Sequence, residues 1–130
     1  MAKTTSTTIL FDPTKKGLER TFGPLEAAIM RFVWSSSKPV TVDQVQEHLV
    51  STYARKKYTT IASTMNRLCE KDILERDSRA GLSYYYHAVE KKRDYEMRVV
   101  RSVLKSLFDE DLDDLTEVLT EHKELVAQMR

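Results

Sequence analysis

The sequence predicts a mainly α-helical chain with one small β-hairpin, a compact N-terminal domain being followed by long amphipathic helices. Three observations carry this expectation. Apolar residues recur at helical spacing in three successive segments between residues 24 and 71. Two β-prone segments then flank the turn-forming run Asp77-Ser78-Arg79-Ala80-Gly81. After His87 the helical period returns and persists to the end of the sequence.

Residues 1–22 begin with a Ser/Thr-rich run and contain Pro13 and Gly17 without a lasting period, which predicts a mobile start and a partly docked arm. Gly23-Pro24 opens the first helix, with proline at its favoured first-turn position. Leu25, Ala28, Ile29, Phe32 and Val33 give it one apolar face, and Ser35-Ser36-Ser37-Lys38-Pro39 ends it. The second helix has a well-specified start: Thr41 can cap, Gln44 can reach back, and Val40 can staple to Val45. A basic connector, Arg55-Lys56-Lys57, leads to a third helix expected from Thr59 to Lys71, with Ile61, Met65, Leu68 and Cys69 on its apolar side.

Ile73-Leu74-Glu75-Arg76 reads as the first strand and Leu82-Ser83-Tyr84-Tyr85-Tyr86-His87 as the second. Three helices followed by a hairpin is the order of a winged helix-turn-helix. Beyond it, Tyr95, Val99, Val100, Val103, Leu104, Leu107 and Phe108 form a wide stripe, and the acids from Asp109 to Asp114 suit the positive end of a further helix. In that helix Leu112, Leu115, Leu119, His122, Val126 and Met129 step by 3, 4, 3, 4 and 3, a heptad seam. Such faces lack a partner within so short a chain, so dimerisation is expected through Val100, Leu104, Phe108, Leu115, Leu119, His122 and Val126. The expected organisation is an arm over 1–22, a winged-helix domain over 23–88 and a dimerisation region over 89–130.

Composition bounds the function. The 130 residues carry a net charge of only +1, but residues 1–88 hold thirteen Lys/Arg against nine Asp/Glu, whereas 89–130 hold eight against eleven. The N-terminal part therefore suits a polyanion and the C-terminal part a protein contact. No apolar run approaches the ~20 residues needed to span a bilayer, and no secretory signal is evident, so a cytoplasmic location without membrane insertion is expected. The single cysteine, Cys69, lies on the apolar side of its helix and reads as a buried thiol rather than a redox sensor.

The third helix carries the functional expectation. Over Tyr58 to Leu68, Thr59, Thr60, Ser63, Asn66 and Arg67 fall opposite its apolar side, and this face is short-chained, hydroxyl-rich and uncharged except at Arg67. An ordinary solvent face favours Glu and Lys; this one suits close approach to phosphates and base edges in a major groove. Arg55, Lys56 and Lys57 at its entry, with Arg76 and Arg79 flanking the hairpin tip, would neutralise phosphates. Read more plainly, the helix is a surface helix of poor propensity, Arg67 pairs with Glu70 or Asp72, and the basic residues are solvated. Alternation puts Tyr84 and Tyr86 on one side of their strand and Tyr85 on the other, which favours core packing over base stacking. His122 most simply fixes the register of the seam.

No enzyme constellation is present: the chain has no glycine-rich phosphate loop, no HExxH and no cysteine pair, and His48, His87 and His122 have no metal-ligand spacing. No catalytic residue, metal or cofactor is expected. The competing reading from another class is a winged-helix protein-interaction scaffold without specific DNA binding.

The sequence resembles the penicillinase-repressor family of bacterial winged-helix transcriptional repressors, the BlaI/MecI/CopY group. The resemblance rests on Gly23-Pro24-Leu25-Glu26-Ala27-Ala28-Ile29-Met30 leading to Val33-Trp34, on Pro39-Val40-Thr41-Val42, and on Tyr58-Thr59-Thr60-Ile61 with Arg67-Leu68-Cys69-Glu70-Lys71. Tyr84-Tyr85-Tyr86 and Tyr95-Glu96 fit the same pattern. It implies a homodimer on double-stranded, dyad-symmetric operator DNA, with the third helix in the major groove and the C-terminal helices joining the subunits. It also implies a membrane sensor protease that derepresses by cutting the C-terminal region. The chain departs from the pattern in having no Asn-Phe pair of the kind cut in the penicillinase repressors, and it lacks the paired C-terminal cysteines of the copper-responsive branch.

Overall fold

The computed structural model describes residues 11–15, 17–53, 55–78, 83–108 and 112–129, the side chains of Leu112 and Leu125 excepted. The elements run in the order 3-10 turn (Gly17–Arg20), α1 (Pro24–Ser35), α2 (Val42–Thr52), α3 (Tyr58–Glu70), β1 (Leu74–Ser78), β2 (Tyr84–Ala88), α4 (Lys92–Phe108) and α5 (Leu112–Met129). The chain divides into two compact units, 1–94 and 95–130, the division falling in the first turn of α4.

In the first unit, α1, α2 and α3 close over one core. Ile29, Met30, Val45, Leu49, Ile61, Met65 and Leu68 are each at most 1% exposed, and Leu74 and Tyr86 complete the core from the hairpin. Full burial of side chains of this size stabilises by ~1.5 to 3 kcal/mol each. The arm docks through Phe22, 7% exposed, whose ring lies 6.3 Å from that of Trp34.

The caps anticipated from the sequence are present. Thr41 Oγ1 accepts from the Gln44 amide at 3.2 Å, Gln44 Oε1 accepts from the Thr41 amide at 3.0 Å, and Val40 and Val45 are both buried. At α1, Glu26 Oε1 accepts from the Gly23 amide at 3.0 Å, while Oε2 takes Lys71 Nζ at 3.0 Å from beyond the end of α3.

The end of α3 differs in its chemistry from the usual glycine stop. Asp72 adopts φ 60°, its amide donates to Cys69 O at 3.0 Å and the Ile73 amide to Leu68 O at 2.9 Å. These two bonds are the Schellman pattern, here with aspartate in the left-handed position. They also explain why β1 starts at Leu74 rather than Ile73, since the Ile73 amide is spent on the helix. β1 extends to Ser78, past the expected turn start at Asp77, because Asp77 pairs with Tyr85 and Ser78 with Tyr84.

The hairpin is tied back to the helices. Val40 and Tyr86 exchange two backbone bonds of 2.9 and 2.8 Å, forming a bridge on the free side of β2. The Val89 amide donates to Ile73 O at 3.0 Å and Trp34 Nε1 donates to Glu90 O at 3.1 Å. These bonds hold residues 89 and 90 to the first unit.

In the second unit, the helices present apolar side chains to solvent. On α4, Met97, Val100 and Leu107 are 36, 46 and 71% exposed, and on α5 Val118, Leu119 and Met129 are 37, 47 and 76% exposed. Leu104, Phe108, Leu115 and Val126 are half-buried and His122 is exposed. Among the described residues, no helix is long and apolar enough to cross a membrane.

Candidate nucleic-acid interface

α3 places its two chemistries on opposite sides. Ile61, Thr64, Met65 and Leu68 are buried, whereas Thr59, Thr60, Ser63 and Arg67 are exposed and Asn66 is half-buried. The first turn contains no acid, and the N-cap Lys57 makes no side-chain capping bond. The Thr60 amide donates to Lys57 O at 3.1 Å, which leaves the Tyr58 and Thr59 amides without a side-chain cap beside the exposed Arg55 and Lys57. A helix N-terminus with no acid in its first turn and with adjacent cations is favourable to an anion. Gln46 Nε2 donates to Lys56 O at 3.0 Å and pins this connector to α2.

The hydroxyls of the exposed face are partly engaged. Ser63 Oγ donates to Thr60 O at 3.1 Å, which leaves its oxygen free to accept; the buried Thr64 Oγ1 donates to the same carbonyl at 2.8 Å. Arg67 Nη2 donates to Thr64 Oγ1 at 3.2 Å, so the side chain lies back along its own helix rather than reaching for Glu70 or Asp72. Thr64 is the residue that sequence reasoning missed. Its place between Ile61 and Leu68 on the buried side was the available signal.

Asn66 is placed between α3 and the hairpin rather than in the middle of the exposed face. Its Oδ1 accepts from Arg76 Nη1 at 2.8 Å and from the Tyr86 hydroxyl at 3.0 Å. Arg76 also lies over the Tyr84 ring, 4.5 Å from its centroid. Tyr84 and Tyr86 do share one side of β2: Tyr86 is 2% exposed and Tyr84 45%. Burial pushes the Tyr86 phenol pKa above its ordinary value, opposed by the hydrogen bonding to Arg76. On the other side of the hairpin, His87 faces Glu75 at 3.7 Å and Asp77 at 4.0 Å. Arg79 lies outside the described residues.

The structure thus brings Thr59, Thr60, Ser63 and Arg67 together on one exposed face, with Lys57 at its start and Arg76 at its hairpin side. Among the described residues, no group of three His, Cys, Asp or Glu side chains is arranged to hold a metal ion.

Three helices closed by an antiparallel hairpin, with a polar outer face on the third helix that carries no acid before Glu70 in its last turn, define a winged helix-turn-helix protein. The chain belongs to the penicillinase repressor family, whose pattern matches residues 22–129. It is 42% identical over 60 residues to the transcriptional regulator BlaI of Mycobacterium tuberculosis, in both strain CDC 1551 and strain H37Rv. That match covers 45% of this chain and 43% of each relative, so the chain spans less than half of the curated relatives it matches. Among solved structures it is similar to Streptococcus pneumoniae FabT in complex with DNA, at 16% identity and a TM-score of 0.48, covering 88% of this chain and 82% of that one.

Proposed function

We propose that this protein is a transcriptional repressor that binds double-stranded DNA, with α3 in the major groove and the hairpin on the flanking backbone. The observation that carries the reading is the exposed Thr59, Thr60, Ser63 and Arg67 face, without an acid until Glu70 at the far end of the helix and bordered by Arg55, Lys57 and Arg76. Short hydroxyl side chains permit close approach to the groove, Arg67 offers paired donors to guanine, and the bordering cations neutralise phosphates. An interaction scaffold has no need of this arrangement. Membership of a repressor family supports the same reading.

The finer reading is a homodimer on a dyad-symmetric operator, joined through α4 and α5. The exposed Val100 and Leu119 and the half-buried Leu104, Phe108, Leu115 and Val126 supply the apolar surface, and His122 lies in the same seam. Two winged domains must be held about one duplex turn apart, ~34 to 36 Å, to read one face of DNA. Loss of the tether costs avidity without altering a base contact. Cleavage in the C-terminal region, residues 89–130, by a sensor protease would derepress by that route. Repression itself follows from occupying DNA that RNA polymerase must reach.

The test is enrichment of duplexes from a random pool by the full chain, followed by titration of the enriched duplex at fixed salt. A dyad-symmetric consensus bound far more tightly than random duplex is the expected result. Failure to enrich any sequence would leave the scaffold reading in its place.

A further inference from the structure

Asn66, Arg76, Tyr84 and Tyr86 form one bonded group where α3 meets the hairpin. The carboxamide oxygen of Asn66 has two lone pairs, and both are taken, by Arg76 Nη1 and by the Tyr86 hydroxyl. Tyr86 is buried and immovable, whereas Tyr84 is exposed and offers its ring face to the Arg76 guanidinium. The neighbouring acids Glu75 and Asp77 alternate to the opposite side of the strand, where they face His87. Arg76 is therefore exposed with its charge uncompensated from its own strand, but its orientation is fixed by one hydrogen bond and one ring contact. A planar guanidinium with five N–H donors can place one on Asn66 and one face on Tyr84 and still have donors to spare for a phosphate; an ammonium cannot do all three.

We propose that Arg76 is a phosphate-binding residue of preset orientation, and that Asn66, Tyr84 and Tyr86 are its positioning residues rather than readers of bases. The group bolts the hairpin to α3, so the phosphate taken by Arg76 fixes the register in which the Thr60, Ser63 and Arg67 face meets the groove. This assignment rests on the DNA-binding reading above and deepens it: charge at position 76 is insufficient unless it is held by position 66 and position 84.

The test uses the full chain and the duplex it enriches from a random pool, titrated across salt. Arg76→Ala should weaken binding about tenfold and lower the magnitude of the log-log salt slope by about one per subunit. Asn66→Ala and Tyr84→Leu keep every charge, so they should weaken binding about three- to tenfold with the slope almost unchanged. Neither should weaken it further on the Arg76→Ala background. Arg76→Lys should resemble Asn66→Ala rather than wild type. Because Asn66→Ala strips a partner from a buried hydroxyl, the exposed Tyr84→Leu variant carries the test if the former unfolds. Additive losses, or an altered base preference with Asn66→Ala, would overturn the assignment and make Asn66 a base reader. Wild-type protein that enriches no duplex would overturn the DNA-binding reading itself, whereas tight wild-type binding with unaffected variants would overturn only the clamp.

Discussion

Arg67, the exposed cation of α3, is tethered to Thr64, a residue of the buried core: Nη2 meets Oγ1 at 3.2 Å, and Thr64 is 1% exposed. The Thr64 hydroxyl donates in turn to Thr60 O at 2.8 Å. A hydroxyl inside the domain thereby sets the direction of a side chain outside it. Arg67→Ala should cost ~1 to 3 kcal/mol at the enriched duplex and relax the preference at one base pair, with fold stability nearly unchanged. Thr64→Val keeps the shape and removes the tether, so it should give a smaller loss in the same direction. Anisotropy titrations at one salt concentration measure both, and an unchanged Arg67→Ala affinity would remove this residue from the readout.

Lys57 caps α3 without a side-chain bond, so its removal leaves the helix intact. Lys57→Ala should weaken binding to all duplexes alike and reduce the salt slope by ~0.9 for each phosphate released. Thermal unfolding should shift little, since exposed substitutions of this kind fall within ~0.5 kcal/mol. An identical salt slope in the variant would identify Lys57 as a solvated residue.

Asp72 sits at φ 60° in the Schellman turn, a conformation that short polar residues tolerate and β-branched ones do not. Asp72→Val should lower stability by at least ~1 to 2 kcal/mol, the cost of backbone strain at this position. Urea unfolding would show the loss as a lower midpoint at constant slope.

Burial raises the Tyr86 phenol pKa, so the folded protein favours the neutral form more strongly than the unfolded chain does. The sign follows from linkage: this contribution is complete below the unfolded phenol pKa, about 10, and is lost as pH rises through the higher folded value. Tyr86→Phe should be less stable at neutral pH by about 1 kcal/mol, because the bond to Asn66 is gone. Its stability should decline less steeply above pH ~10. Equal alkaline slopes in variant and wild type would show that Tyr86 does not titrate in the unfolding transition.

Val100 and Leu119 each expose close to half of an apolar side chain. Val100→Glu and Leu119→Glu in the full chain should convert a dimer in sedimentation to a monomer and reduce affinity for a dyad duplex to that for a half-site. Wild-type protein that sediments as a monomer at micromolar concentration would refute the interface.

The legible parts of this molecule were those decided by near neighbours. Thr41 and Gln44 announced the start of α2 because a capping box is complete within four residues. The face of α3 was legible because helical period alone separates Thr59, Thr60, Ser63 and Arg67 from Ile61, Met65 and Leu68. Asn66 was a different matter. Periodicity assigned it to the outer face, but its position is decided by Arg76 and Tyr86, ten and twenty residues away, once the hairpin folds against the helix. The aspartate in the left-handed turn was equally silent, since glycine is the usual marker of that stop.

The Val40–Tyr86 backbone pair has its own consequence. It joins positions 46 residues apart and encloses α2, α3 and β1 in a single loop of chain. β2 is thereby hydrogen-bonded on both sides, to β1 and to the segment entering α2, and offers no open edge at Tyr86 to a neighbouring molecule. Any tilt of the hairpin pulls on the residue directly before the Thr41 cap. Wing and helix pair therefore open together or not at all, and amide exchange at Val40 and Tyr86 would report the same event.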